Sequence, residues 1–161
     1  MADLVTHLCA VLLPGALLPV RGLVLVAVGA VLPDLAARVP PILLEQLGRF
    51  IHVPDTWISC WTVLHEPLPL VALCGLAATT FVPEQRWRAL SLLLVGAATH
   101  IGLDVLQDHH GCGYALAFPL SSQVFELGWM GSQATVEWAP WLALITAVAW
   151  GLRVKRTRAR V

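Results

Sequence analysis

Trp87–Leu106 reads WRALSLLLVGAATHIGLDVL. An apolar run of about 20 residues is what a helix needs to cross the hydrocarbon core of a bilayer. The run carries Arg88 at its start and His100 and Asp104 near its end. His100 and Asp104 stand at i and i+4, so their side chains share one helical face, adjacent over one turn. An imidazole and a carboxylate so placed can reach one cation. Ionisable groups at membrane depth cost roughly 2.5–3.5 kcal/mol each on insertion scales, so they are rarely present without a partner or a purpose.

Four further apolar stretches flank this one: Leu4–Val20, Gly22–Leu32, Leu68–Val82 and Trp138–Leu152. Most are shorter than the ~20 residues of a full span, which calls for burial by neighbours, little tilt, or extension by polar turns. Ile42–Ile51, after Pro40-Pro41, reads as a short amphipathic helix with Glu45 and Arg49 at i and i+4. Trp57–Leu64 is a second short segment, which Pro67 and Pro69 set at an angle to the Leu68–Val82 stretch. Gly111–Gln133 is rich in Gly and Ser, carries Pro119 and reads as a long irregular loop. The chain shows no internal repeat and no low-complexity tract. The expected fold is all-α: a single integral membrane domain over 1–161, a polytopic helical bundle of four or five short transmembrane helices plus interfacial ones.

Composition agrees. The 161 residues are 58% apolar and 12% charged, against roughly 25% charged in an ordinary soluble domain. Ten basic and ten acidic residues cannot coat a soluble protein of this size, so lipid must solvate much of the surface. A formal net charge of zero gives no general attraction to nucleic acid. The cysteines Cys9, Cys60, Cys74 and Cys112 form no CxxC pair and no zinc-finger spacing. Cys9 and Cys74 lie in apolar runs and read as small hydrophobes; Cys60 and Cys112 flank polar segments and could pair in an oxidising compartment. The N-terminus lacks the positive leader of a cleavable signal peptide, so the first apolar stretch is expected in the mature protein.

Alternating helix directions put Arg21, Glu84, Arg86, Arg88 and the tail Arg153–Arg160 on one side, with eight of the ten basic residues. Asp3, Asp34, Glu45, Asp55, Glu66, Asp104, Asp108, Glu126 and Glu137 fall on the other, with Arg38 and Arg49. The positive-inside rule makes the Arg-rich side cytoplasmic and the acidic side external, in the cytoplasmic (inner) membrane. Trp57, Trp61, Trp129, Trp138 and Trp141 read as an interfacial belt on the acidic side. The basic tail reads as a topology anchor that also meets anionic membrane lipids.

The same alternation gathers the polar residues. His7 opens the first helix, Asp34 closes the second, His65 and Glu66 open the third, and His100 and Asp104 lie in the last turns of the fourth. A mixed nitrogen and oxygen set suits zinc, manganese or iron, and suits calcium poorly. Interfacial polar caps are the plain alternative for any one of these residues, but a cap has no need to be His or Asp five times. Asp108-His109-His110 reads as accessory ligands or as a solvated loop, and His52 as a surface histidine.

Thr6-His7, Gly29-Ala30-Val31-Leu32-Pro33-Asp34, Val63-Leu64-His65, Thr99-His100-Ile101-Gly102-Leu103-Asp104 and Phe118-Pro119-Leu120-Ser121 occur in that order. In this the chain resembles the bacterial membrane-bound metal-dependent hydrolases, also described as LexA-binding, inner-membrane-associated hydrolases, over roughly residues 1–122. The resemblance implies that His7, Asp34, His65, His100 and Asp104 are metal-site positions. There are departures. The family often has a second acid two residues after the Pro-Asp, where this chain has Ala36. It often has His-Arg-Gly before Thr-His-Ser, where this chain has Cys60-Trp61-Thr62 before Val63-Leu64-His65-Glu66. The missing His leaves one metal instead of two, or no catalysis, as the alternatives.

The function expected is metal-dependent hydrolysis at the outer face of the cytoplasmic membrane, with zinc first among the candidate metals. Glu66 is the expected base, or Asp108 if the loop folds back. A lipid phosphoester or another amphiphilic substrate fits a site at headgroup level. The rivals are a membrane metal-binding or transport protein without hydrolysis, and a structural membrane anchor without metal. Transport needs polar residues across the bilayer, and Gly22–Leu32 and Leu68–Val82 offer almost none.

Overall fold

A computed structural model describes residues 4–18, 21–110 and 113–159. The chain is mostly helical: α1 (Leu4–Leu17), α2 (Leu23–Leu47), α3 (Asp55–Ser59), a 3-10 turn (Thr62–His65), α4 (Pro67–Ala78), α5 (Pro83–Leu106) and α6 (Ser132–Arg158). Among them α2, α5 and α6 are long and apolar enough to cross a membrane. Asp55–His65 and Pro67–Ala78 meet at 82° and, taken together, make a fourth candidate span. The first helix, with 14 residues, falls short of the ~20 that a full crossing takes.

Large apolar side chains such as Val24, Leu76, Val95, Ile145 and Val148 are more than half exposed. Such a surface suits lipid and not water. The interior is built from small clusters: Leu70, Cys74, Leu93 and Ala97 between α4 and α5, and Val11, Val26 and Ala30 between α1 and α2. Cys9 and Cys74 are buried thiols and Cys60 is an exposed one; Cys112, and with it the expected pairing with Cys60, lies outside the described residues.

The second helix differs from the sequence reading. It does not close at Asp34, and Pro40-Pro41 starts no new helix; α2 runs unbroken through Pro33, Pro40 and Pro41 to Leu47. A proline removes one N–H and crowds the carbonyl four residues back, but neighbouring helices can satisfy the groups it frees. At Pro33 such a neighbour is present. Gly29 and Gly96 let α2 and α5 cross backbone against backbone: a Cβ on Gly29 would collide with the Leu93 carbonyl, and one on Gly96 would come within 2.6 Å of the Ala30 nitrogen. Small residues allow this approach in lipid, and it lays α5 over the carbonyls that Pro33 loosens.

Side-chain bonds to backbone tie α6 to α1. Trp150 Nε1 donates to the Leu12 carbonyl at 3.0 Å. Arg153 donates to the carbonyls of Gly15 and Leu18, satisfying acceptors that a helix C-terminus leaves open. Arg153 thus lies at the end of α1 opposite His7.

The segment expected as an irregular loop carries some order. β1 (Gln107–Asp108) pairs in parallel with β2 (Met130–Gly131), and Tyr114 bridges Phe125 in the antiparallel sense. Leu127 and Trp129 donate to the carbonyls of Val105 and Leu106, at 2.8 and 2.9 Å. These bonds fold the loop over the end of α5 and bring Tyr114 inward.

Candidate metal centre

His7, Asp34, His65, His100 and Asp104 come from α1, α2, the 3-10 turn and α5, and each is at most 4% exposed. His100 sets the chemistry. Its Nδ1 lies 2.6 Å from the Ala30 carbonyl oxygen. That oxygen can only accept, so Nδ1 carries a proton, and Nε2 is the ring nitrogen whose lone pair is left for a metal ion. The lone pair faces His65 Nε2 at 2.9 Å and Asp104 Oδ2 at 3.3 Å. His65 Nε2 in turn lies 3.6 Å from Asp104 Oδ2 and 3.4 Å from Asp34 Oδ1. His7 stacks on the His100 ring, centroids 3.7 Å apart, with Nε2 3.2 Å from Asp104 Oδ1.

These separations fit an ion. Four ligands on a tetrahedral ion with bonds of ~2.0–2.1 Å stand ~3.3 Å from one another, within the 2.9–3.6 Å found here. The triads His65–His100–Asp104 and His7–Asp34–His100 each have potential ligand atoms within 4.8 Å of one another, so these buried groups can hold a metal ion. His7 Nδ1, Asp34 Oδ2 and His65 Nδ1 are buried without a hydrogen bond, while Asp34 Oδ1, His7 Nε2 and Asp104 Oδ1 have only ion-pair contacts. Leaving a buried polar atom unsatisfied costs about 1–3 kcal/mol. A cation between the carboxylates and the facing imidazole nitrogens would satisfy those of these atoms that point inward, but not His65 Nδ1 across its ring from the cluster.

The carboxylates have other partners. Arg38 Nε lies 2.9 Å from Asp34 Oδ1, one turn along α2. Tyr114 donates its hydroxyl to Asp104 Oδ2 at 2.6 Å and stacks on His65, centroids 5.2 Å apart. Burial, then the nearby Asp104 carboxylate, push the Tyr114 hydroxyl well above its ordinary pKa. It therefore stays protonated and acts as a donor.

A pocket of ≈ 230 Å³ opens beside the cluster, with Arg38, Thr62, His65, Glu66, His109 and Tyr114 in its walls. Glu66 follows His65 directly and accepts from the Ala115 backbone N–H, while its Oε2 is buried without a hydrogen-bond partner. Asp108 does not line this pocket. Its carboxylate accepts from the His110 N–H at 2.8 Å, closing the turn after β1. The loop does fold back, but it brings Tyr114 to Asp104 rather than Asp108. His109 packs edge-on against Tyr114 and lines the pocket, unlike the exposed His52 and His110.

Arg38, Tyr114 and the Ala30 carbonyl were not singled out from the sequence. The spacing Asp34-x-x-x-Arg38 was available there, since it repeats the i, i+4 rule already applied to His100 and Asp104. Tyr114 is the only tyrosine in the chain, but no local pattern ties it to Asp104. Comparison with protein-family models, with curated proteins and with solved structures found no match.

Proposed function

We propose that this protein is a membrane-embedded metal-dependent hydrolase, with one divalent transition ion held by His65, His100, Asp104 and Asp34 and with His7 beside them. The observation that carries the reading is the convergence of His65 Nε2, His100 Nε2 and Asp104 Oδ2 within 3.6 Å of one another, with the His100 tautomer fixed by Ala30. His100 has a single nitrogen left to give, so the two overlapping triads describe one ion site and not two. A mixed set of imidazole and carboxylate favours zinc, with manganese or iron next.

When bound, such an ion supplies a water whose pKa is lowered toward ~7. The chain supplies the rest. Glu66 accepts the proton of that water, since it lies in the pocket wall with one buried oxygen unpaired. Arg38, paired through Nε with Asp34, also lines the pocket and turns its guanidinium toward an anionic substrate group. Tyr114 holds Asp104 in place through its hydroxyl, and the Ala30 carbonyl holds the His100 ring, as outer partners of ligands commonly do.

In this reading the bundle has four or five spans and sits in the inner membrane, with the basic end of α6 cytoplasmic and the pocket opening at the outer headgroup level. The position of Arg153 at the far end of α1 from His7 supports opposite faces for the two. Transport is a weaker reading, because the core past the cluster is apolar, built on Leu93, Cys74, Val26 and Val11. A structural polar core is favoured by one observation: Arg38 and Tyr114 already partner the two carboxylates.

The test is Glu66→Gln in the purified, zinc-loaded protein, assayed on alkyl phosphate esters. Unchanged metal content with activity lower by about 10²–10⁴-fold, the usual worth of a general base, is the expected result. Unaltered activity rejects Glu66 as the base, and loss of the metal makes Glu66 a ligand.

A further inference from the structure

A second opening lies next to the first. Between α4 and α5 runs a groove of ≈ 490 Å³, lined by Pro67, Leu70, Val71, Leu94, Ala98 and Gly102, among others. Its lining is almost wholly apolar, and its size is that of a pocket for one small-molecule ligand, about 300–1,000 Å³. The two openings have no lining residue in common, but chain neighbours line them. Glu66 lines the polar pocket and the next residue, Pro67, lines the groove; Tyr114 lines the pocket and Leu116 the groove. The fifth helix turns His100 and Asp104 to the cluster beside the pocket and Ile101, Gly102 and Val105 to the groove. Room is left along it: a Cβ built on Gly102 meets nothing within 4 Å. A helical glycine is less stable than alanine there, and what it leaves is space beside a site.

We infer that the groove seats the alkyl chain of the substrate while the polar pocket takes its head, so that the substrate is a single-chain lipid with an anionic phosphate ester. The inference rests on the reading of the cluster as a hydrolytic centre and names its substrate class. Three observations converge on it: a polar pocket beside buried potential metal ligands, the Asp34-paired Arg38 guanidinium in its wall, and an apolar groove lined by chain neighbours of the pocket's own residues. An ester so seated lies with its head at Arg38 and Glu66 and its chain along α5. In the reaction the oxygen of water bonds to phosphorus, the bond from phosphorus to the alkyl oxygen breaks, and the alcohol leaves carrying a proton.

The probe is dodecyl phosphate with a diazirine at the chain end, photolysed with the zinc-loaded full chain in phosphatidylcholine nanodiscs and mapped by mass spectrometry. Labelling of Val71, Leu94 and Ala98 at least fivefold above that of Leu144 and Val148 on α6 is expected. Gly102→Leu, which fills the groove, should lower groove labelling at least fivefold, and Gly75→Leu, equally open but elsewhere on the bundle, should leave it unchanged. Equal labelling of groove and α6 would mean bulk lipid and would overturn the inference. So would equal groove labelling by dodecanol carrying the same diazirine, since the head would then not matter. Phosphate release, followed in parallel for butyl and dodecyl phosphate, separates the two readings. Metal-dependent release equal for both esters overturns the chain site and leaves the hydrolase standing; groove labelling without release supports the chain site and removes the hydrolase.

Discussion

His100 gives one ring nitrogen to the Ala30 carbonyl and the other to the cluster, and each half of that arrangement can be tested by a single substitution. Removing the ring, in His100→Ala, should abolish most transition-metal binding while the protein still inserts, because the remaining ligands leave an incomplete sphere. Asp104→Ala should do the same. Tyr114→Phe keeps the stacking surface on His65 but removes the donor to Asp104. Losing an outer partner of a ligand commonly costs about 10–100-fold in metal affinity or activity, so competition with a chromophoric chelator should show a drop of that order. An unchanged affinity would make Tyr114 a packing residue only. The five clustered residues could be chosen from the sequence because His and Asp in apolar helices are costly and therefore conspicuous. Tyr114 could not be. Its role depends on a loop fold made by the Tyr114–Phe125 bridge and the bonds from Leu127 and Trp129 to α5, which are backbone contacts with no sequence signature.

At the scale of elements, the apolar stretches were legible from hydropathy, and each overlaps a helix of the structure, although Leu68–Val82 outruns α4, which ends at Ala78. Their ends were less so. Pro33 and Pro40-Pro41 read as breaks, yet α2 passes through them, because in a bundle the neighbouring helix can take up freed carbonyls. The carbonyl that Pro33 leaves without its helical donor is that of Gly29, one residue before the Ala30 carbonyl that His100 meets. Pro33→Ala should therefore leave the thermal midpoint equal or raised and the metal affinity near that of the parent. The crossing of α2 on α5 depends on Gly96, where added side-chain atoms meet backbone and not flexible side chains. Gly96→Leu should destabilise the protein by about 1–3 kcal/mol or more, as overpacking does, read as a lower thermal midpoint in detergent. The same change at Gly75, where the space is open, should leave the midpoint near that of the parent.

For the whole molecule, charge and position give opposite ends different characters. The last turn of α6 carries Lys155, Arg156 and Arg158, while the pocket with Glu66 and His109 lies at the other end. Gln123→Cys and Thr157→Cys, each in a chain without native cysteines, test the orientation. An impermeant maleimide added to intact cells should label position 123 and not 157, and the reverse would put the site in the cytoplasm. Whether the acceptor atoms of His65, His100, Asp104 and Asp34 meet around a cation is tested most directly by elemental analysis of the protein purified from membranes. It should find about one divalent transition ion per chain, as the single free nitrogen of His100 requires, and almost none in His100→Ala. A chain that stays metal-free after incubation with zinc, manganese and iron, or a His100→Ala variant that binds as much as the parent, would contradict that arrangement.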